Sequence, residues 1–312
     1  MEMKKVIVLG ATGGMGYSLV NELVERGMEV TAFARNKDKL HHFFGNNSHI
    51  TIYQGDVFST NELMNAVKGN EIIFHAINLP YASWEAKLPI MTQQIIQAAQ
   101  KNSTKLAIVD NIYSYGKSPG EKVKETTEKR PHTKKGKIRL EMQKLYESSQ
   151  VPYIIAHFPD FYGPYVESSL LNFTLTKMME NKKAQYVGDP RLSREHIYTP
   201  DGAKALVELA LNETAYNQIW NIPAYDVITG EEIIHILQSI TNNHKKVSTV
   251  TKNMVRFIGL FDRQMREFVE MMYLNEQPVV LDGEKYEKNI GILPKTPYDE
   301  GIKRTIDIMK DK

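Results

Sequence analysis

The chain has 312 residues and no cysteine, and its 39 lysines and arginines nearly balance 37 acids, leaving a formal charge of +2. The missing cysteine excludes disulfides, thiolate metal sites and a cysteine nucleophile; the near-neutral charge offers no global field for nucleic acid or a membrane surface. No apolar run approaches the length of a membrane span and no signal peptide precedes the first strand, so a soluble cytoplasmic protein is expected.

Val6–Leu9 is a short apolar run that reads as a fully buried parallel strand. Gly10, Gly13 and Gly16 follow it, and Leu19, Val20, Leu23 and Val24 then recur at helical spacing up to Gly27. Val30–Ala34 and Ile50–Gln54 are the next strands. Thr60 is expected to cap a helix running to Gly69. Ile72–Ala76 is the fourth strand, residues 86–101 a long amphipathic helix, and Leu106–Val109 the fifth strand. Residues 117–136 lack apolar periodicity and read as a long loop. A helix over Ile138–Ser148 and a strand over Tyr153–Ala156 complete the repeat. Strands and helices alternating at this pace predict an α/β Rossmann-like, doubly wound parallel sheet.

Beyond Phe161 the elements shorten, with helices expected over 168–180 and 201–211 and a strand over 219–222 that rejoins the sheet. The predicted organisation is therefore a dinucleotide-binding domain over 1–160, to which roughly 196–223 returns. A smaller C-terminal substrate-binding domain takes 161–195 and 224–312. Near the end, Met254, Ile258, Phe261, Met265, Phe268 and Met272 recur at steps of three and four, one apolar stripe on a helix. It packs on the second domain or forms a methionine-rich wall over an apolar ligand.

A strand, a glycine-rich turn and a helix in succession make a diphosphate cradle. Gly10 allows the tight turn, Gly13 lets the backbone approach the pyrophosphate, and Gly16 permits close helix–strand packing. The helix start then holds the negative charge. The spacing is G-x-x-G-x-x-G rather than the commoner G-x-G-x-x-G.

With Gly10-Ala11-Thr12-Gly13-Gly14-Met15-Gly16, Gly55-Asp56-Val57, Tyr115-Gly116, Phe161-Tyr162-Gly163-Pro164 and Asp201-Gly202-Ala203 in place, the chain resembles the extended short-chain dehydrogenase/reductases, the NAD-dependent epimerase/dehydratase family. The resemblance spans nearly the whole length. It implies that Gly10, Thr12, Gly13, Gly14, Met15, Gly16, Asp56, Val57 and Ala76 contact the dinucleotide, and that the Tyr162 region lies beside the nicotinamide. NAD binders usually carry an acid about twenty residues past the glycines, for the ribose 2′-hydroxyl. Here Phe33-Ala34-Arg35-Asn36 has none, and Arg35 stands where a 2′-phosphate would be, which favours NADP(H) over NAD(H).

The catalytic set departs from that family. Its members use Ser or Thr after the fifth strand and Y-x-x-x-K on the next helix. Here the Ser/Thr position is Asn111, which can polarise a carbonyl but has no proton to transfer. Lys135 takes the tyrosine slot, with Arg139 four residues on. Asn111, Tyr162 and Lys135 are the candidate catalytic residues, with Tyr162 ranked first as proton donor and Lys135 second. No metal site is expected, since no H-x-x-x-H or comparable spacing occurs.

These features imply an NADP(H)-dependent oxidoreductase or sugar-nucleotide-modifying enzyme with a modified catalytic site, acting on a small acidic or nucleotide-linked substrate. A non-catalytic NADP(H)-sensing protein is the alternative, because a sensor needs the cradle and Arg35 but no proton donor. A homodimer through the helices at 86–101 and 138–148 is expected, with Leu88, Met91 and Ile95 as its apolar stripe.

Overall fold

Apolar residues on both faces of a strand can be stable only between two covering layers. β1 (Lys5–Leu9) is such a strand: Val6 and Val8 enter one core cluster, Ile7 and Leu9 the other, and all four are fully buried. The computed structural model describes residues 4–118, 120–167 and 169–310. β2 (Glu29–Ala34), β3 (Ile50–Gln54), β4 (Ile72–His75), β5 (Lys105–Asn111) and β6 (Tyr153–Phe158) lie in one sheet with β1. Three shorter strands follow, β7 (Asp160–Tyr162), β8 (Gln185–Val187) and β9 (Ser193–Tyr198). β10 (Gln218–Asn221) then returns to the main sheet, ahead of β11 (Val227–Thr229) and β12 (Ser248–Val250).

The main sheet has seven strands in the order β10-β6-β5-β4-β1-β2-β3, every pair parallel. The order reverses between β1 and β4, and an α/β sheet binds its ligand at the carboxyl ends beside such a switch. α1 (Gly14–Glu25) and α2 (Lys37–Phe44) lie on one face, α3 (Thr60–Val67), α4 (Trp84–Asn102) and α5 (Lys134–Glu147) on the other. α2 was not anticipated: its apolar signal is short, Leu40, Phe43 and Phe44, of which Leu40 and Phe44 are buried and Phe43 packs at the core's edge.

The C-terminal part has α6 (Leu170–Met179), α7 (Thr199–Leu211) and α8 (Gly230–Thr241), then α9 (Lys252–Ile258) and α10 (Arg263–Phe268), and last α11 (Glu284–Asn289) and α12 (Tyr298–Lys310). α7 packs on α1 and so joins the main domain, whereas β9 lies in a small sheet ordered β11-β9-β7. The helix expected from residue 168 begins at Leu170, and Ser168 lies outside the described residues.

Three expectations need correction. The N-cap of α3 is Ser59 rather than Thr60. The stripe from Met254 to Met272 is not one helix: α9, α10 and a 3-10 turn over Val269–Asn275 divide it, because the chain reverses around Gly259. A Cβ on Gly259 would come within 2.9 Å of the Arg266 Cα, so only glycine permits that approach. Leu88, Met91 and Ile95 face inward and are almost fully buried beneath the chain's own sheet, so they leave no stripe for a second copy.

Candidate active site

The glycine turn is built for close approach. Gly10 has φ +86° and donates its N–H to the Phe33 carbonyl at 2.9 Å. A Cβ on Gly16 would lie 2.0 Å from the Gly10 oxygen, which explains the third glycine by helix–strand packing. Gly14 is needed for another reason: its Cβ would meet Val166, in the loop after β7, at 2.3 Å. Gly13 is exposed, and the nearest atom to a Cβ there is 3.6 Å away, so its outer side is open. The first N–H groups of α1, those of Gly14, Met15 and Gly16, have no intrahelical acceptor, and no side chain among the described residues caps them. An open glycine and three free donors at a helix start fit a diphosphate.

The other expected cofactor contacts divide. Thr12, Arg35, Asp56 and Ala76 lie partly or fully exposed past the carboxyl ends of β1, β2, β3 and β4. Arg35 has no ion pair among the described residues, while Lys39 beside it is held by Glu167 at 2.5 Å. Asp56 accepts the Phe58 N–H at 3.0 Å, a local turn contact. Met15 and Val57 instead turn their side chains into the two cores, Met15 against Gly202, so only their backbone can reach a ligand.

Tyr162 does not serve the cleft. It is fully buried among Tyr198, Tyr298 and Ile302 in the core of the C-terminal part, and a Cβ on Gly301 would meet its hydroxyl at 2.3 Å. Burial holds its phenol far above the ordinary range. Lys135 is not a free base either. It is 1% exposed in the first turn of α5, bonded to Glu267 and 3.0 Å from Glu270, so its amine is committed to two carboxylates. Arg139, in the lysine slot, is 3.2 Å from Asp110 and 4.4 Å over the Trp84 ring. Tyr115 is buried and structural, donating to Asn221 at 2.8 Å.

Asn111 remains at the cleft, half-exposed at the end of β5. Its Oδ1 accepts the Tyr113 N–H at 3.1 Å, leaving its amide NH2 without a partner among the described residues. This bond turns the chain so that Tyr113 meets Tyr81, which follows β4, with their hydroxyls 2.7 Å apart. Trp84 stacks on Tyr113, Phe268 lies parallel to Tyr81, and the Lys135 ammonium is 5.8 Å from the Tyr81 ring. Burial raises both phenols above their usual value, so both are neutral donors. Sequence reasoning missed this pair because it joins residues from two loops; the signal was a tyrosine two positions past Asn111.

The far wall comes from the C-terminal part. Arg194 of β9 is bonded to Asp160 of β7, and a cavity of about 10 Å³ lies between them, Ile112, Leu274 and Val279. Met271, Tyr273, Leu274, Val279 and Leu281 cover Ile112 and Tyr115 in one cluster, with Tyr81 and Tyr113 packed against it. Among the described residues no group of His, Asp or Glu could hold a metal ion, and no helix is long and apolar enough to cross a membrane.

A protein whose parallel sheet carries an open glycine cradle at its switch point is a dinucleotide-binding protein of the Rossmann class. Residues 10–163 match the NAD(P)H-binding family model. The UDP-N-acetyl-alpha-D-glucosaminuronate decarboxylase of Bacillus cytotoxicus is 22% identical over 331 positions, covering 99% of this chain and 98% of its own length. The dTDP-glucose 4,6-dehydratase of Bacillus anthracis, solved with NAD, superposes with a TM-score of 0.81 at 16% identity, covering 99% of this chain and 97% of that one. The UDP-glucose 4-epimerase of Thermotoga maritima, solved with UDP-glucose, gives 0.80 at 18%, covering 98% and 99%. Residues 10–163 thus carry the NAD(P)H-binding match, and over nearly its whole length the chain shares the fold of these epimerase and dehydratase structures.

Proposed function

We propose that this protein is an NADP(H)-dependent enzyme acting on a nucleotide-linked sugar, with the Tyr113–Tyr81 hydroxyl pair in place of the family's missing tyrosine. The observation that carries the reading is that 2.7 Å contact, built directly beyond Asn111 on the cleft side of β4 and β5. Gly13, the free N–H groups of α1 and Arg35 would hold the dinucleotide, which supplies hydride chemistry when bound. Arg35 matches a 2′-phosphate in shape and charge. The Asn111 amide donates to the substrate carbonyl oxygen, and Tyr113 gives that oxygen its proton as negative charge builds there. Tyr81 passes its own proton to Tyr113, and water restores Tyr81. A forming alkoxide is more basic than a phenolate, so a phenol held neutral by burial still donates downhill. The sugar-nucleotide substrate is inferred from the full-length relatives named above, which are enzymes of UDP- and dTDP-sugars.

Calorimetry should find NADPH bound more tightly than NADH, with the preference lost in Arg35→Glu. A screen of UDP- and dTDP-sugars, following nicotinamide absorbance, should find turnover that Tyr113→Phe lowers by about a hundredfold with NADPH affinity intact. Equal affinity for the two dinucleotides would overturn the cofactor assignment, and full turnover by Tyr113→Phe would overturn the proton donor. The sensor reading draws support from the cover of Met271–Leu281 over the cleft; tight NADPH binding with no turnover of any sugar nucleotide would decide for it.

A further inference from the structure

We propose that the hairpin formed by α9 and α10 docks on an anionic lipid surface. Within residues 254–261 five large apolar side chains face solvent: Met254 at 44%, Phe257 at 66%, Ile258 at 45%, Leu260 at 70% and Phe261 at 83% exposure. Isolated exposed apolar residues are ordinary, but so many in succession mark an interaction site. The inner side of the same hairpin is already satisfied, since Val255 packs with Val187, Val250 and Met272. The outer side is thus a second apolar face, with the Phe257 and Phe261 rings 6.0 Å apart at its crest.

Charge identifies the occupant. Arg256, Arg263 and Arg266 flank the crest, all exposed, and none has an ion pair among the described residues. Arg256 bonds only to the Asn253 amide at 3.3 Å and Arg263 to the Ala82 carbonyl at 3.3 Å. The nearby acids are engaged: Asp262 caps α10 through the Met265 N–H at 3.0 Å, and Glu267 holds Lys135. An apolar crest ringed by arginines suits a surface with acyl chains beneath and phosphates around. A second copy would bring three arginines against three arginines, and a protein partner would need a groove to receive a protruding crest. The arginine stems can lie along the apolar boundary while their heads stay among the phosphates. The net charge of the whole chain hides this feature, because it is local.

The test is flotation of the full-length protein with vesicles of phosphatidylcholine alone, or of phosphatidylcholine and phosphatidylglycerol in equal parts. The protein should float with the anionic vesicles at low salt and stay behind with the neutral ones. Phe257→Ser/Leu260→Ser/Phe261→Ser should lose about tenfold or more of that binding. Arg256→Glu/Arg266→Glu should lose a similar share, and salt should mimic it. Unchanged melting temperature and NADPH affinity in both variants show that the fold is kept. Failure of the wild-type protein to float with anionic vesicles overturns the proposal. So does equal flotation of the serine variant, or a concentration-dependent dimer that the same serine substitutions abolish.

Discussion

Glu195 shows how one side chain can tie two parts of this molecule together and charge for it. It stands on β9, is 6% exposed, and accepts the Leu281 N–H at 2.8 Å, joining the small sheet to the segment that covers the cleft. Burial pushes its carboxyl up to about 7, against the pull of backbone hydrogen bonds from Leu281 and Ala224. Its folded value lies above the unfolded one, so the folded chain holds this proton more tightly. The stability it contributes is complete below about pH 4.5 and is lost as pH rises towards 7, a change of about 3 kcal/mol. Glu195→Gln keeps an acceptor for Leu281 and removes the charge. Its urea midpoint at pH 8 should exceed that of wild type, with the gap closing by pH 5. An equal gap at both pH values would mean that the carboxylate is not the cause. Tyr162 gives the complementary lesson at this scale. Its motif position was legible, but adjacent residues on a strand point to opposite faces, and nothing local said which face met the cleft.

At the scale of elements, the strands were legible because both faces are apolar, and each main-sheet strand lies where its run predicted. The 254–272 stripe was misread because three- and four-residue steps persist through a reversal. Gly259, and Asp262 as an N-cap, were the signals of that break. Once reversed, α10 presents Glu267, and the turn after it Glu270, to Lys135, which joins the hairpin to the start of α5. Lys135→Met would leave two carboxylates facing a buried apolar side chain. Because both are partly exposed, the cost is about 2 kcal/mol rather than that of a fully buried broken pair. Hydrogen exchange should quicken over residues 264–275 in Lys135→Met and return towards wild type when Glu267→Gln and Glu270→Gln are added. Unchanged exchange in the single variant would show that the clamp does not hold the hairpin.

Across the whole molecule, the fold and the cradle were legible because backbone chemistry at a glycine turn is local in sequence. The opposite wall was not, because Arg194, Asp160 and the 271–281 cover come together only through tertiary packing. The same packing traps three histidines: His75 on β4, His157 on β6 and His196 on β9, all buried. Burial lowers His75 to about 3, with Arg139 assisting, and His196 to about 4, with Arg194 assisting and Asp160 opposing. Burial also holds His157 well below its usual value, with Lys129 and Arg139 adding to the effect and the Asn221 contact opposing it. Each folded value lies below the unfolded one, so the unfolded chain takes up the protons first. Stability from these groups is complete above about pH 6.5 and is lost as pH falls towards 4, about 3 kcal/mol for His196 alone. Domains are stable by only about 5–15 kcal/mol, so three such groups outweigh the opposite trend of Glu195 and set the acid limit. Urea midpoints should therefore fall steeply between pH 6.5 and 4.5. Neither ring nitrogen of His196 has a hydrogen-bond partner among the described residues, so His196→Phe should keep the fold and make that fall shallower by about one proton. If the variant loses stability with acid as steeply as wild type, His196 is not among the groups that titrate on unfolding.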